Sequence, residues 1–289
     1  MKYTYMQERL KQYSMAAWCE GLQVSRSGFY AWRNRSKEAL PIDTALVDAY
    51  AKHKGKAGAP SLCADLQANG FSISLRTVGR KLKARGLRAK VTRKFRHTTD
   101  SNHSMLVAPN RLDRQFKVSK PNEVWVGDIT YIRTTEGWLY LAVMIDLFSR
   151  QVVGWQMSTR IDQALVNDAL MSALLLRGMP KGVMIHTDRG SQYCSKSFRK
   201  IIKQNRLTRS QSRKANCWDN AVAESFFASL KKQSVYGYAL TSRDKMRQQI
   251  FEYIEVYYNR VRRHSANGWV SPVQFERLYR QTLEGLTVH

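Results

Sequence analysis

Apolar positions recur at helical spacing over the first 36 residues, where Met6, Leu10, Tyr13, Met15 and Trp18 form one stripe and Gly21 supplies a stop. Ser25 then stands where a second helix, carrying Phe29, Tyr30 and Trp32, would be capped. The pattern predicts a helix-turn-helix over 1–36, although a plain helical hairpin satisfies it equally well. A second helical unit is predicted over 40–90, with one helix from Ile42 to His53 and a break from Gly55 to Gly58. Its second helix starts at Pro60 and is stopped by Gly70, and its third runs from Ser74 or Leu75 to Ala84, stopped by Gly86. Periodicity fades over 91–120, where Arg93, Lys94, Arg96, Arg111, Arg114, Lys117 and Lys120 suggest a basic linker able to follow a phosphate backbone.

At Pro121 the spacing changes to that of strands. Val124 to Arg133 and Trp138 to Leu147 are β-rich runs joined by Thr134-Thr135-Glu136-Gly137, a hairpin signal, and Gln151 to Met157 fits a third strand. A helix from Gln163 to Leu176 follows, then a short apolar strand from Gly182 to Ile185, then more helices. This order predicts an α/β fold: a ribonuclease H-like core with a five-stranded mixed sheet and flanking helices, preceded by small all-helical domains. The core is placed at 121–235 and a C-terminal helical extension at 236–289.

Charge narrows the function. The 289 residues include 48 Lys plus Arg against 22 Asp plus Glu, a formal net charge of +26, with a pI near 10.2. Such a field favours a polyanion, and nucleic acid is the commonest, because neutralising phosphates releases condensed counterions. A membrane partner is not expected, since nothing approaches the roughly 18 apolar residues of a spanning helix, and Met1 to Tyr5 lack the apolar run of a secretory signal. Cytoplasmic residence is the resulting expectation. Cys19, Cys63, Cys194 and Cys217 lie at long, irregular spacings that fit neither a zinc site nor a disulfide framework, and are read as small buried hydrophobes.

Three acids carry the candidate chemistry. Asp128 lies inside the apolar run Val124 to Tyr131, where a carboxylate is costly to bury unless it is paired or bound to a cation. Asp188 follows the short strand in His186 to Tyr193, where strand ends of α/β sheets present ligands. Glu224 falls in a predicted helix for which Asp219 or Asn220 is the N-cap. Converging, the three would form an oxygen-rich site for two Mg²⁺ ions in phosphoryl transfer. Singly, each has a duller role: an ion pair, a turn cap, a surface charge.

The strings around these acids resemble the catalytic motifs of orfB-type transposases of the bacterial insertion-sequence three family, relatives of retroviral integrases with a DDE core. The likeness runs over nearly the whole chain, through Trp125 to Ile132, His186 to Tyr193 and Asn216 to Phe227, with 224 − 188 − 1 = 35 residues between the last two acids. It implies a transposase that cuts and joins insertion-sequence DNA ends at Asp128, Asp188 and Glu224 with two Mg²⁺, Mn²⁺ substituting. It also implies double-stranded DNA as partner, a homo-oligomer on that DNA, nucleoid association when active, and fusion with or binding to an upstream-frame product. A nuclease without strand transfer and a non-catalytic DNA-binding regulator are the competing readings.

Basic residues complete the set of DNA-binding candidates. Lys231, seven residues after Glu224 and about two turns along the same helix face, matches a basic position of the family. Arg76, Arg80, Lys81 and Lys83 lie on the predicted third helix of the second unit, which resembles a recognition helix. Arg213 and Lys214 precede the Glu224 helix. Arg260, Arg262, Arg263 and His264 lie in a stretch from Tyr258 to Ser265 that resembles the family's closing signature; they either grip phosphates or, with Asn259, fix a loop before a last helix begun by Ser271 and Pro272. Ala215 stands where relatives carry Gly, which puts the shape of the preceding loop in question. Asp146 is read as structural, bonded to Ser149 or Arg150.

Overall fold

Ser14 divides the first apolar stripe between two helices, α1 (Lys2–Glu8) and α2 (Met15–Gly21), because its Oγ accepts from Ala17 N at 3.2 Å and starts α2 afresh. Tyr13, counted in that stripe, is exposed. Ser25 accepts from Gly28 N at 3.0 Å at the start of α3 (Arg26–Arg33), as expected, and Met6, Trp18 and Phe29 form a small core with Tyr3, Leu10 and Trp32. The computed structural model describes residues 2–10, 12–33, 41–89, 106–213, 220–236 and 238–286. It divides into two compact units, Met1–Val47 and Asp48–His289.

The second helical segment follows the expected pattern: α4 (Pro41–Lys52), α5 (Ala59–Ala68) and α6 (Leu75–Ala84). Ser74 caps α6 through its Oγ, which accepts from Thr77 N. Val78 and Leu82 are buried on one side of α6, while Arg76, Arg80 and Lys83 are exposed on the other and Lys81 is half-buried.

The sheet follows in β1 (Val124–Thr134), β2 (Gly137–Asp146), β3 (Val152–Ser158), β4 (Met184–Thr187) and β5 (Thr208–Gln211), ordered β3-β2-β1-β4-β5. β1, β2 and β3 pair antiparallel, while β4 joins β1 and β5 joins β4 in parallel, the mixed five-stranded order of a ribonuclease H-like core. β5 escapes the strand signal because Thr208-Arg209-Ser210-Gln211 is polar; His186 Nδ1 and Ser210 Oγ, 2.9 Å apart, link it side chain to side chain with β4.

Each sheet face has its own apolar layer. α7 (Gln163–Leu176), α8 (Ser191–Cys194) and α9 (Lys196–Gln204) cover one, meeting Trp125, Ala142, Met144, Val153 and Ile185. α7 lies so close to β3 that a Cβ on Gly154 would come within 2.5 Å of the Ala169 carbonyl and the Ala173 nitrogen. On the other face, Val124, Val126, Val143 and Ile145 pack with α10 (Ala221–Leu230) and with α11 (Arg243–Phe251) and the π-helical stretch Glu252–Tyr258 after it. The C-terminal segment thus builds the main core through Met246, Ile250, Tyr253, Ile254 and Tyr258. α12 (Pro272–Leu286) starts at Ser271, whose Oγ accepts from Gln274 N.

Two local expectations change. Of the basic stretch 91–120, residues 91–105 lie outside the described residues; the remainder is laid on the sheet, with Leu112 buried and the N–H groups of Arg111 and Leu112 donating to Ser210 Oγ. Asp146 is structural, but its carboxylate takes neither of the partners expected. It accepts from Asn122 N, Trp125 Nε1 and Phe148 N and lies 3.5 Å from Arg177. Ser149 instead donates to Glu276 of α12. Among the cysteines, Cys63 and Cys194 are buried, Cys19 is half-buried and Cys217 lies outside the described residues.

Candidate active site

The parallel ladder between β1 and β4 runs Val124 with Met184, Trp125 with Ile185, Val126 with His186 and Gly127 with Thr187. One step further along the same register, Asp128 stands beside Asp188, just past the end of β4. Paired residues on neighbouring strands point to one face, and that face is the α10 side, because Val124 and Val126 belong to its apolar layer. Glu224 enters from the first turn of α10. Sixty residues of sequence separate the first two acids, and the ladder removes the distance.

Electrostatics report the convergence. Asp128 is 7% exposed; burial first, and then the negative charge of Asp188, push its pKa well above the ordinary carboxylate range. The Ile129 N–H, 2.8 Å from Asp128 Oδ1, pulls the other way, while Glu224 adds a smaller repulsion and Lys231 a smaller attraction. Asp188 is oriented by its own turn, its Oδ1 accepting from Gly190 N at 2.9 Å and its carbonyl accepting from Gln211 Nε2 at 3.0 Å. Asn220 precedes α10 as expected but makes no side-chain cap, and Asp219 lies outside the described residues.

Divalent cations fit this donor set. The charges of Asp188 and Glu224 raise the cost of ionising Asp128, and a buried hydroxyl, Tyr193 Oη, has no hydrogen-bond partner among the described residues. Burial and then the charges of Asp128 and Asp188 raise the Tyr193 pKa well above its usual value, which places this hydroxyl beside the acids. Among the described residues, no three acid, imidazole or thiol groups are drawn up to the spacing of a closed metal cage. The acids face one another as a mutually repelling set, which cationic charge would draw inward.

Lys231 ends α10, and its charge, like that of Glu224, acts on Asp128. α10 passes into a π-helical turn at Lys231–Val235, and Lys231 is 3% exposed, with its ammonium 4.9 Å from the ring centre of Tyr131. Burial lowers its pKa to about 8, against the attraction of Asp128. The π-turn begins only at Lys231, after the α-helical span from Glu224, and this charge faces the acids from inside the protein.

The closing stretch also divides differently. His264 is buried and its pKa falls to about 3, through desolvation and then the charges of Arg262 and Arg150, so it is neutral and grips no phosphate by charge. Arg263 is taken by Asp65 and by the Trp269 carbonyl, while Asn259 clamps both the N–H and the carbonyl of Val152. Arg260 is exposed, and Arg262 reaches Ser229. Arg213 is exposed and 3.2 Å from Asp113; Lys214 and Ala215 lie outside the described residues. Sequence reading passed over Tyr193 and Gln211, although Tyr193 ends the very string that drew attention to Asp188.

Comparison with known proteins adds to this geometry. A model described as integrase core domain matches residues 118–217, a second of the same description matches 224–282, and one described as HTH-like domain matches 38–95. The chain is 44% identical over 283 residues to the transposase InsF for insertion sequence IS3A of Escherichia coli (strain K12), covering 96% of this chain and 98% of the relative. It is 42% identical over 270 residues to the insertion element IS600 uncharacterized 31 kDa protein of Shigella sonnei, covering 91% and 98%. Solved structures similar to it include the simian T-cell lymphotropic virus intasome, at TM-score 0.47 and 18% identity over 79% of this chain and 73% of that one. Another is the trimeric HTLV-2 integrase catalytic core domain in complex with magnesium, at TM-score 0.43 and 17% identity over 55% and 99%.

Proposed function

The chain belongs to the transposase family of IS3-type insertion sequences, and from that premise we propose that Asp128, Asp188 and Glu224 are the acids that carry its cutting and joining of DNA. It is a polynucleotidyl transferase with an integrase-type core, and it binds DNA. The observation that carries the assignment is the β1–β4 register, which sets Asp128 beside Asp188 beneath α10.

The three carboxylates would hold two Mg²⁺ ions, Mn²⁺ substituting, and such a pair supplies activation of an attacking oxygen and stabilisation of a departing one. The protein's own part is to keep this site dry and preorganised. Asp128 is fixed by Ile129 N–H and Asp188 by Gly190 N–H, so neither spends rotamer freedom when DNA arrives. Lys231 supplies a buried positive charge that moderates the repulsion among the acids. No covalent enzyme intermediate is needed, so Tyr193 and the nearby serines act as hydrogen-bonding groups and not as nucleophiles.

Segments 1–36 and 40–90 are assigned to DNA binding, 121–235 to catalysis and 236–289 to its support. The exposed Arg76, Arg80 and Lys83 on α6 suit a recognition helix, with Lys81 at its border. Arg213, Lys214, Arg260 and Arg262 extend the basic surface. Joining two ends requires two active sites in one complex, which favours a homo-oligomer assembled on DNA, fused with or bound to an upstream-frame product. No described helix is long and apolar enough to cross a membrane, and the substrate places the chain in the cytoplasm, at the nucleoid when active.

The deciding experiment incubates wild type and Asp188→Asn with Mg²⁺ and duplexes bearing the element's terminal repeats. Loss of both cleavage and joining, with duplex binding retained, is expected. Joining that persists at more than about a tenth of the wild-type rate would remove Asp188 from the chemistry.

A further inference from the structure

Beside the catalytic helix lies a cavity of about 390 Å³. Ser225 and Ser229, about 100° and 140° round α10 from Glu224, form one wall, and Arg150, Arg262, His264 and Trp269 form others. Among the described residues, no carboxylate lines it. Arg262 is held in place there, its Nη2 donating to Ser229 Oγ at 3.2 Å and its Nη1 lying 2.9 Å from His264 Nε2. Arg263 reaches the same wall but donates to Asp65 and to the Trp269 carbonyl.

Arg150 supplies the second cation. Its Nη2 donates to the Phe116 carbonyl at 3.4 Å, and its Nη1 is buried with no hydrogen-bond partner among the described residues. The Asp146 charge acts on this guanidinium, but its carboxylate accepts from Asn122 N, Trp125 Nε1 and Phe148 N and makes no hydrogen bond to Arg150 Nη1. Both guanidinium charges act on His264, which stays neutral and is therefore free to exchange a hydrogen bond without adding charge. A desolvated guanidinium with an orphan donor, near a second one and two hydroxyls, is a donor set suited to an anion.

The rim says which kind. Gly268 and Trp269 both adopt left-handed backbone, with φ of 64° and 63°. For a bulky residue that conformation is strained, and it persists where something beyond local preference fixes it. Trp269, so held, is 37% exposed and lines the cavity, and an exposed aromatic beside cations is the arrangement on which nucleic-acid bases stack.

We propose that this cavity takes a backbone phosphate of the DNA strand held at the acids, with the adjoining nucleotide packed on Trp269. The proposal rests on the transposase reading above. It assigns the Glu224 helix two duties on two sides: its acid reaches the reacting phosphate, and Ser225 and Ser229 help seat another.

The test measures affinity for a terminal-repeat duplex across a salt series in wild type, Arg262→Gln, Ser225→Glu and Asp188→Asn. Ser225 is an exposed position on the helix, so its variant keeps the fold if Arg262→Gln does not. About tenfold weaker binding is expected in the two cavity variants, with a salt dependence shallower by about one counterion in Arg262→Gln. Asp188→Asn should keep the wild-type slope. In parallel, imidazole NMR should show the His264 pKa rising when the duplex binds. Unchanged affinity and slope in both cavity variants, with wild type binding normally, overturns the cavity assignment alone, whereas a wild type that binds no duplex overturns the transposase reading with it. Inorganic phosphate that shifts His264 as far as the duplex does, at equal phosphate concentration, makes the cavity a free-phosphate site and overturns the DNA assignment.

Discussion

Asp65 on α5 and Arg263 near the carboxyl end, 198 residues apart in sequence, meet Oδ1 to Nε at 2.6 Å. The other Asp65 oxygen lies 2.5 Å from His53 Nε2, whose Nδ1 is 3.3 Å from the Tyr257 hydroxyl. Burial by itself would raise the Asp65 pKa, but the hydrogen bonds from His53 and Arg263 outweigh it and hold the carboxyl below its usual range. Lys54 with Glu252 is a second ion pair between the same segments. The HTH-like segment is thereby tied to the π-helical stretch that builds the catalytic core.

Removing one partner of a buried pair strands the other, which commonly costs 3–5 kcal/mol. Asp65→Ala should therefore lower unfolding stability by about 3 kcal/mol in urea titrations. A double-mutant cycle with Arg263→Ala should return a coupling above about 1 kcal/mol. Additive effects would mean that the contact holds nothing.

Repulsion among the acids makes a second prediction. Asp188→Asn removes the largest charge acting on Asp128, so this variant should be more stable than wild type by about 1 kcal/mol without divalent ions. With Mg²⁺ at about ten times its dissociation constant, wild type should gain about 1.4 kcal/mol, and the variant much less. Thermal melts with and without Mg²⁺ check this, and equal gains in both proteins would exclude Asp188 from the metal site.

His264 sets an acid limit. Its pKa is about 3 in the folded chain against about 6.5 unfolded. Because the folded value is depressed, stability is full above pH 6.5 and falls as pH drops from there towards 3, where the folded imidazole at last takes its proton. Between pH 6.5 and 5 the loss should be about 2 kcal/mol. Urea midpoints of wild type and His264→Asn over that range test it, and the variant should show a flatter pH profile.

Two glycines should respond oppositely to alanine. At Gly154 the new methyl meets α7 backbone, so Gly154→Ala should cost about 3 kcal/mol. Gly79 lies inside α6 with nothing within 4 Å of its would-be Cβ, so Gly79→Ala should stabilise by about 0.5–1 kcal/mol. Calorimetry of the two variants distinguishes them, and a tolerant Gly154 would contradict the close packing of α7 on β3.

Strands β1 to β4, helix α7 and the caps at Ser25, Ser74 and Ser271 were legible in the sequence because each is written in local periodicity and turn chemistry. β5 was not, since a polar strand is recognised by its neighbour and not by its own pattern. The three acids were legible as strings with a characteristic spacing. Their meeting depends on a parallel register that no local signal carries.

What the sequence by itself determined is therefore the order of elements, the basic character and the identity of the acids, all properties of residues and near neighbours. Tertiary structure alone decided which charges are spent inside the fold. Lys231 is buried against the acids at the end of α10, Arg263 pairs with Asp65, and His264 is neutral between two guanidiniums. The physical reason is that a side chain's charge and reach are set by its surroundings: the same arginine is a surface cation or a structural tie according to what chain folding brings within about 3 Å of it.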